Sequence, residues 1–130
     1  GITTDGTNLY VADSLNHLIR KIVISTGVVT TVAGTGSSGR SNGTGTSASF
    51  HTPIGITTDG TNLYVADQKN NMIRKIVIST GAVTTVAGDE WGGANGTGTS
   101  ASFGTPIGIT TDGTNLYVSE YDNHMIRKIE

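Results

Sequence analysis

Residues 55–88 read GITTDGTNLYVADQKNNMIRKIVISTGAVTTVAG, and this string sets the organisation of the whole chain. Almost the same string occupies residues 1–34, and a third copy runs from residue 108 to residue 130. The copies begin at residues 1, 55 and 108, so their spacings are 54 and 53 residues. Self-similarity at such a period is typical of solenoids and propellers rather than of one conventional domain. The sequence therefore predicts a repeat array.

Each repeat contains four short runs of apolar and β-branched residues, separated by turn-forming residues. In the second repeat the runs cover residues 56–58, 63–66, 72–78 and 82–87. Asp59-Gly60 between the first two runs is a hairpin signal, and Ser79-Thr80-Gly81 separates the last two. We expect no helix anywhere, because Thr, Val and Ile dominate runs that are too short for one. Each repeat is predicted to be a four-stranded antiparallel meander, with strands a to d.

The third run indicates how these sheets pack. Ile76-Val77-Ile78 does not alternate apolar and polar residues, so both faces of the sheet should be covered. Small sheets that cover one another around an axis are the blades of a β-propeller. A glycine-rich link then carries the chain from the outer strand d of one blade to the inner strand a of the next. Phe103 and Pro106 in one link, and Phe50 and Pro53 in the other, are expected to fix its end against the neighbouring blade.

The triplet Asn16-His17-Leu18 lies between strands b and c, inside the pattern P-x-G-I-x-x-D-G-x-N-L-Y-V-A-D-x-x-N-H-x-I-R-K-I. This pattern resembles the NHL repeat, with Asn70-Asn71-Met72 and Asn123-His124-Met125 as variants of the triplet. The resemblance covers every copy and implies a β-propeller fold. It also implies a binding platform for proteins, RNA or other ligands, although a few relatives are enzymes. The motif is specific for fold and weak for function.

The predicted fold class is all-β: a partial β-propeller of four-stranded antiparallel blades, with two full blades plus most of a third. We expect blade 1 with its link at residues 1–54, blade 2 with its link at 55–107, and incomplete blade 3 at 108–130, all in one array. Propellers have about four to eight blades, so these residues cannot close a ring alone. The chain is then a fragment, a partly identified longer protein, or a self-assembling chain, two copies of which would supply about six blades. Self-association or further blades of a longer chain would be needed.

Composition excludes several classes of partner. The formal charge is −2, with 8 basic and 10 acidic residues, which gives no electrostatic footprint for nucleic acid or an anionic membrane. We therefore expect no nucleic-acid partner and no membrane insertion. No cysteine is present, so no disulfide framework is expected. A Thr-, Ser- and Gly-rich chain with little Lys or Glu suits an exported bacterial protein, and we predict an extracellular or periplasmic location.

A comparison of the copies with one another indicates a binding face. The turn Asp-Gly-Thr-Asn between strands a and b is identical in all three copies, whereas the b–c turns and the links differ. In a meander these divergent segments emerge at one end of the blades, and loops held by a scaffold commonly carry function. Drift of long links is the alternative explanation. The candidate binding face comprises Ser14, Leu15, His17, Arg40, Gln68, Lys69, Asn71, Trp91, Tyr121, Asp122 and His124.

The polar motifs have structural explanations. Asp5, Asp59 and Asp112 belong to hairpin turns and supply too few oxygens for a calcium loop. Arg20 and its counterparts in strand c should be partly buried, and a buried guanidinium needs a carboxylate or carbonyl partner, so an Asp–Arg network is predicted. His17 and His124 lie on turns of different blades, too far apart for a metal site. We expect no cofactor and no metal site, and no catalytic residue.

The predicted function is a non-catalytic protein- or ligand-binding scaffold, part of a longer exported or cell-surface protein, with a protein or carbohydrate partner. Trp91, the only tryptophan, is a candidate anchor, or it covers an apolar gap between blades. Two alternatives remain open. The first is a lyase- or lactonase-type propeller enzyme with a metal in its channel, and the second is a purely structural array in a surface filament.

Overall fold

The computed structural model describes residues 1–130, which form short strands joined by turns and links. The strands are β1 (Ile2–Thr4), β2 (Asn8–Asp13), β3 (Leu18–Val23), β4 (Val29–Ala33), β5 (Gly43–Thr44), β6 (Pro53–Thr58), β7 (Asn62–Asp67), β8 (Met72–Val77), β9 (Ala82–Ala87), β10 (Pro106–Thr111), β11 (Leu116–Glu120) and β12 (Met125–Ile129). Four single 3₁₀ turns lie at Ser14–Asn16, Gly45–Ser47, Gln68–Asn70 and Gly98–Ser100. No helix is long and apolar enough to span a lipid bilayer.

The strands form three antiparallel sheets, one for each copy of the repeat. Their strand orders are β1-β2-β3-β4 in blade 1, β6-β7-β8-β9 with β5 added beyond β9 in blade 2, and β10-β11-β12 in blade 3. Consecutive strands pair throughout, as in the pairing of Val65 with Arg74 and of Ile76 with Val83. The prediction of an all-β partial propeller, with two full blades and most of a third, is confirmed.

Strand β5 was not expected from the sequence. Gly43 and Thr44 belong to the link that follows blade 1, yet they pair with Val83 and Ala82 on the outer strand of blade 2. The link thus runs past the outer edge of the next blade before it turns inward to β6. An uncovered edge strand exposes unpaired N–H and C=O groups, and β5 covers part of this edge.

The structure contains no α-helix, as expected, but single 3₁₀ turns lie in two b–c turns and in both links. Gln68–Asn70 forms a 3₁₀ turn, and Asn71 ends it in the left-handed conformation with a φ of 55°. Ser14–Asn16 and His17, with a φ of 56°, do the same in blade 1. Such turns need only one or two i→i+3 hydrogen bonds, so they leave no periodic signal in the sequence.

Apolar side chains of neighbouring blades form two clusters, and blade 2 contributes to both. Between blades 1 and 2, Tyr10 and Ile19 belong to the same cluster as Leu63 and Val65. Between blades 2 and 3, Ile73 belongs to the same cluster as one buried leucine and one buried valine of β11. Both faces of the middle sheet are therefore covered, which explains why its third strand does not alternate. Phenylalanines of the two links, Phe50 and Phe103, are 0% and 1% exposed and belong to these clusters, as predicted.

A buried arginine ties each link to the blade that follows it. Arg74 on β8 is fully buried and forms an ion pair with Asp67 at 2.9 Å. It also donates to the backbone oxygens of Ser41 and Ser49 at 3.0 and 3.1 Å, and to Oδ1 of Asn42 at 2.9 Å. The last three residues belong to the link from blade 1. The Asp–Arg network predicted from the sequence is confirmed, and it joins two blades.

Replacing Arg74 with alanine is expected to lower the free energy of unfolding by about 3–5 kcal/mol, because the substitution leaves Asp67 buried without its counter-charge. Arg20→Ala, the matched control at the same position of blade 1, should cost under about 1 kcal/mol, since the Arg20 and Asp13 side chains are 32% and 27% exposed. Urea unfolding followed by circular dichroism measures both values. Similar losses of unfolding free energy for the two variants would contradict a stabilising role for the buried contacts of Arg74 with the link.

Candidate functional site

The b–c turns and the links lie together at one end of the blades, and we call this end the loop face. Backbone hydrogen bonds connect its two parts: the N–H of Lys69 donates to the oxygen of His51, and the N–H of Tyr121 donates to the oxygen of Thr105. The a–b and c–d turns lie at the opposite end, because consecutive strands run antiparallel. The loop face therefore contains all the divergent segments, in the arrangement predicted from the sequence.

Three of the candidate binding residues hold the links in place. Ser14 donates its hydroxyl to the backbone oxygen of Pro53 at 2.6 Å. Nδ1 of His17 accepts the N–H of Thr52 at 3.1 Å, and Oδ1 of Asn71 accepts the N–H of Thr105 at 3.2 Å. A histidine and an asparagine thus do the same work in successive blades. These side chains connect neighbouring blades, so their role in the structure is to hold the blades and links together.

The two threonines held in this way have strained backbones. Thr52 and Thr105 have φ values of 57° and 54°, in the left-handed region that β-branched residues avoid. Each also precedes a proline, which further restricts the backbone of the residue before it. Such conformations persist only where surrounding contacts fix them. The acceptors supplied by His17 and Asn71 are among these contacts.

A patch of exposed side chains lies where blades 2 and 3 meet on the loop face. Trp91 is 65% exposed, and its indole N–H donates to Oδ2 of Asp122 at 3.3 Å. The hydroxyl of Thr105 donates to the same oxygen at 2.5 Å. Tyr121, adjacent to Asp122 in the chain, is 67% exposed. We call these residues, together with Lys69, the aromatic patch.

The carboxylate of Asp122 gives the aromatic patch a fixed negative charge. Hydrogen bonds from Thr105 and Trp91 lower the pKa of Asp122, and the positive charge of Lys69 acts in the same direction. The patch therefore combines two exposed aromatic side chains with an ionised acceptor and a nearby cation. Aromatic rings offer apolar area together with a polar edge, which is the chemistry that binds peptide side chains or the faces of sugar rings.

The other candidate residues lie around the junction of blades 1 and 2 or stand alone. Arg40 forms an ion pair with Asp89, so it connects the two links to each other. Leu15 is 87% exposed at the tip of its turn. Gln68 is half-buried, whereas His124, like Lys69 of the aromatic patch, is exposed. The structure thus separates the eleven candidates into residues that hold links and residues that face solvent.

Sequence reasoning missed three residues of the loop face. Thr105 orients Asp122, and Asp89 pairs with Arg40. The ring of His51 packs edge-on against that of His17, with the ring centroids 5.6 Å apart. A Thr-Pro pair ends both links and was the one available signal for Thr105. His51 and Asp89 each occur in one link only, so the comparison of copies gave no signal for them.

The opposite end of the blades carries hairpin turns built around an aspartate. Oδ1 of Asp59 accepts the N–H groups of Thr61 and Asn62 at 2.8 and 2.7 Å, and Oδ2 accepts the hydroxyl of Tyr64 at 3.0 Å. Partial burial raises the pKa of Asp59, but the backbone and side chain of Asn62 outweigh it and bring the pKa to about 2. The carboxylate oxygens are thus engaged within the turn, as the assignment of these motifs to turn chemistry requires. No group of three or more His, Cys, Asp or Glu side chains lies together in the chain.

Sequence comparison relates the chain to larger proteins. NHL repeat-containing protein 2 of Gallus gallus is 37% identical over 103 residues, which cover 73% of this chain and 14% of that protein. The chloroplastic protein SUPPRESSOR OF QUENCHING 1 of Arabidopsis thaliana is 39% identical over 74 residues, 56% of this chain and 7% of that protein. The chain thus spans less than a fifth of the length of these relatives. No family model matches it.

Solved structures share the arrangement of blades. A Bacteroides thetaiotaomicron protein of unknown function superimposes with a TM-score of 0.85 at 31% identity. The match covers 93% of this chain and 32% of the Bacteroides protein. An auxiliary nutrient binding protein of Bacteroides ovatus gives 0.83 at 28% identity, covering 96% and 35%. Virginiamycin B lyase of Staphylococcus aureus gives 0.58 at 20% identity, covering 98% and 39%, a likeness of fold alone.

The role of His17 can be tested with the residue that replaces it in blade 2. His17→Ala should lower the free energy of unfolding by about 1–2 kcal/mol, because the N–H of Thr52 loses its acceptor. His17→Asn supplies an oxygen at the position that Asn71 occupies, so it should cost under about 0.5 kcal/mol. Chemical denaturation at neutral pH compares the variants. Equal losses would show that the hydrogen bond is not what His17 contributes.

The turn aspartates predict a loss of stability in acid. The pKa of Asp59 falls from its usual 3.8 to about 2, so its ionised form stabilises the folded state fully above the higher value. This contribution disappears as the pH falls through about 2. Asp59→Asn should therefore lose less stability than the unsubstituted chain when the pH is lowered from about 6 to about 2.5. Urea midpoints at both pH values measure the difference, with Glu90→Gln on an exposed link as the control; an unchanged pH dependence in Asp59→Asn would contradict the turn's role.

Proposed function

Since the chain belongs to the NHL-repeat β-propeller family, we propose that it is a non-catalytic module that binds a protein or carbohydrate partner on its loop face. The observation that carries the proposal is the aromatic patch between blades 2 and 3. There Trp91, Tyr121 and Asp122 present exposed aromatic surface beside an ionised carboxylate. Other candidates on the loop face, among them Ser14, His17 and Asn71, hold the links.

The geometry of Trp91 supports a binding role for the patch. Its side chain is 65% exposed, so it covers no gap in the core, and it belongs to neither apolar cluster. Its hydrogen bond to Asp122, which Thr105 also contacts, orients the indole before any ligand arrives. Pre-orientation lowers the entropy that a side chain loses on binding. Tryptophan and tyrosine are also the side chains that most often dominate binding energy at protein interfaces.

The non-catalytic part of the proposal is supported by the positions of the charged side chains. Asp67 and Glu120 are buried and bonded to Arg74 and Arg127. The turn aspartates accept hydrogen bonds from their own turns. Carboxylates used in this way hold structure, and the hydroxyl that contacts each turn aspartate belongs to a tyrosine of the same hairpin.

The resemblance to nutrient-binding propellers of Bacteroides supports an extracellular or periplasmic location. The Bacteroides ovatus protein is an auxiliary nutrient binding protein, and binding is the class of function proposed here. The relative from Arabidopsis thaliana, by contrast, is chloroplastic.

Trp91 provides a direct test, because as the only tryptophan it reports on the patch through its fluorescence. The chain is screened against a panel of defined oligosaccharides and against a phage-displayed peptide library. Ligands obtained in this way are expected to shift the emission of Trp91 and to protect it from iodide quenching. Lys69→Ala and Tyr121→Ala should weaken their binding about tenfold or more.

Two controls make the test specific to the loop face. Thr114→Ala lies on an a–b turn at the opposite end of blade 3 and should leave binding unchanged. Arg40→Ala probes the part of the loop face next to blade 1. If ligands bind without changing the emission of Trp91, and if Lys69→Ala, Tyr121→Ala and Arg40→Ala leave their affinity unaltered, the loop face is not the binding site.

A further inference from the structure

Every blade carries the same arrangement of three polar side chains. A carboxylate ends the second strand, an asparagine follows three residues later, and an arginine follows four residues after that on the third strand. We call this arrangement the polar socket. The three sockets are Asp13, Asn16 and Arg20 in blade 1, Asp67, Asn70 and Arg74 in blade 2, and Glu120, Asn123 and Arg127 in blade 3.

In blade 2 the socket is filled by the link that arrives from blade 1. Besides the bonds of Arg74 to the link, Nδ2 of Asn70 donates to the backbone oxygen of Gly39 at 2.8 Å. Oδ1 of Asp67 accepts the N–H of His51 at 2.8 Å. All three members of the socket therefore contact the link.

The socket of blade 3 is filled by the next link in the same way. Arg127 donates to the backbone oxygens of Ala94 and Ser102, both at 3.0 Å, and to Oδ1 of Asn95 at 2.8 Å. Asn123 and Glu120 bond to backbone groups of the same link at 2.6 Å. Each guanidinium also lies over a phenylalanine ring of its link, with 5.1 Å from Arg74 to Phe50 and 5.0 Å from Arg127 to Phe103.

The two links share the sequence that makes these contacts. Residues 42–50 and 95–103 both read NGTGTSASF. In both, the socket arginine bonds to the asparagine side chain, to the carbonyl before it and to the carbonyl of the last serine. The phenylalanine lies beneath the guanidinium. Each filled socket therefore binds the same segment of a link, and equivalent residues of that segment make equivalent contacts.

The socket of blade 1 has the same side chains and no link. Nδ2 of Asn16 donates to both carboxylate oxygens of Asp13 at 3.0 Å, and Nη1 of Arg20 donates to Oδ2 of Asp13 at 3.2 Å. These are the only side-chain hydrogen bonds of the three residues. The Arg20 side chain is 32% exposed, whereas that of Arg74 is 0% exposed.

The apolar surface around this socket is also uncovered. Val11 pairs with Arg20, and Leu9 pairs with Ile22 on the same face of the sheet. These apolar side chains are half-buried in blade 1, whereas their counterparts in blade 2 have 0% exposure. In blade 2, Ala48 and Phe50 of the link belong to the same apolar cluster as these counterparts and help to cover them.

We propose that Asp13, Asn16 and Arg20 form an acceptor site for a link peptide of the NGTGTSASF type, presented by another blade that packs against the open face of blade 1. The site recognises an asparagine side chain, two backbone carbonyls and a phenylalanine ring at fixed spacing. The site lies on the open face of blade 1 and reaches the loop face through Asn16 of the b–c turn, and it is separate from the aromatic patch between blades 2 and 3.

The test uses the 130-residue chain and a fluorescein-labelled synthetic peptide with the sequence of residues 88–107. Fluorescence anisotropy is expected to show saturable binding with a stoichiometry of one. Arg20→Ala should weaken binding about tenfold or more, since a charged hydrogen-bonding group at the centre of the contact is lost. Lys21→Ala removes the same charge from the next residue, on the opposite face of β3, and should leave the affinity unchanged.

Substitutions in the peptide test the proposed recognition. Peptides carrying Asn95→Ala or Phe103→Ala should each bind more weakly to the unsubstituted chain and show little further loss with Arg20→Ala. Chemical-shift changes should centre on residues 13, 16 and 20. Absence of binding, or binding that Arg20→Ala does not weaken, would overturn the proposal, the second outcome indicating exchange with a link in blade 2 or 3.

A second copy of the chain is the competing occupant. Sedimentation equilibrium of the chain without peptide shows directly whether it forms a dimer. A monomer that binds the peptide supports the proposal. A dimer that Arg20→Ala dissociates, with no binding of free peptide, would mean that the open face recognises a whole copy, and it would overturn the assignment of a link peptide as sufficient ligand.

Discussion

The array depends on one interaction, the contact of a buried arginine with the link from the preceding blade. Burial raises the pKa of Asp67, while bonds from Asn70, the N–H of His51 and Arg74 act against it. Two buried charges are not strongly stabilising by themselves, because their desolvation offsets their attraction. What the pair provides is position, because Nη1 and Nη2 of Arg74 reach their acceptors on the link only when the link follows one path. The arginine thus fixes the link against the blade that follows it.

Much of this arrangement could be predicted from the sequence. The repeated runs gave the strands, and the non-alternating residues 76–78 indicated sheets covered on both faces. The pairing of Arg74 with a carboxylate followed from its position on a buried face. The path of the link could not be predicted, because Ser41 and Ser49 meet Arg74 only after two blades have stacked. Strand β5 was missed for the same reason: two residues carry no periodicity, and their partner strand lies about 40 residues away.

The candidate site, too, could be predicted from the sequence only in part. Divergence between copies correctly located the loop face, but it did not separate side chains that hold links from those that face solvent. His17 and Asn71 differ in type, yet both accept an N–H from a strained threonine. Trp91 and Tyr121 differ from their counterparts and remain exposed. Sequence variation at a position therefore reports tolerance, and only the contacts show whether the tolerated residues still perform a common task.

One repeat of the sequence contains both a polar socket and, after its last strand, a link that fits the socket of a repeat like itself. Residues 55–107 hold Arg74 on β8 and the NGTGTSASF segment at 95–103. A tandem duplication of this length in the gene would therefore add a blade whose two boundaries match its neighbours without any compensating mutation. Such a chain can lengthen by unequal recombination while every junction remains compatible.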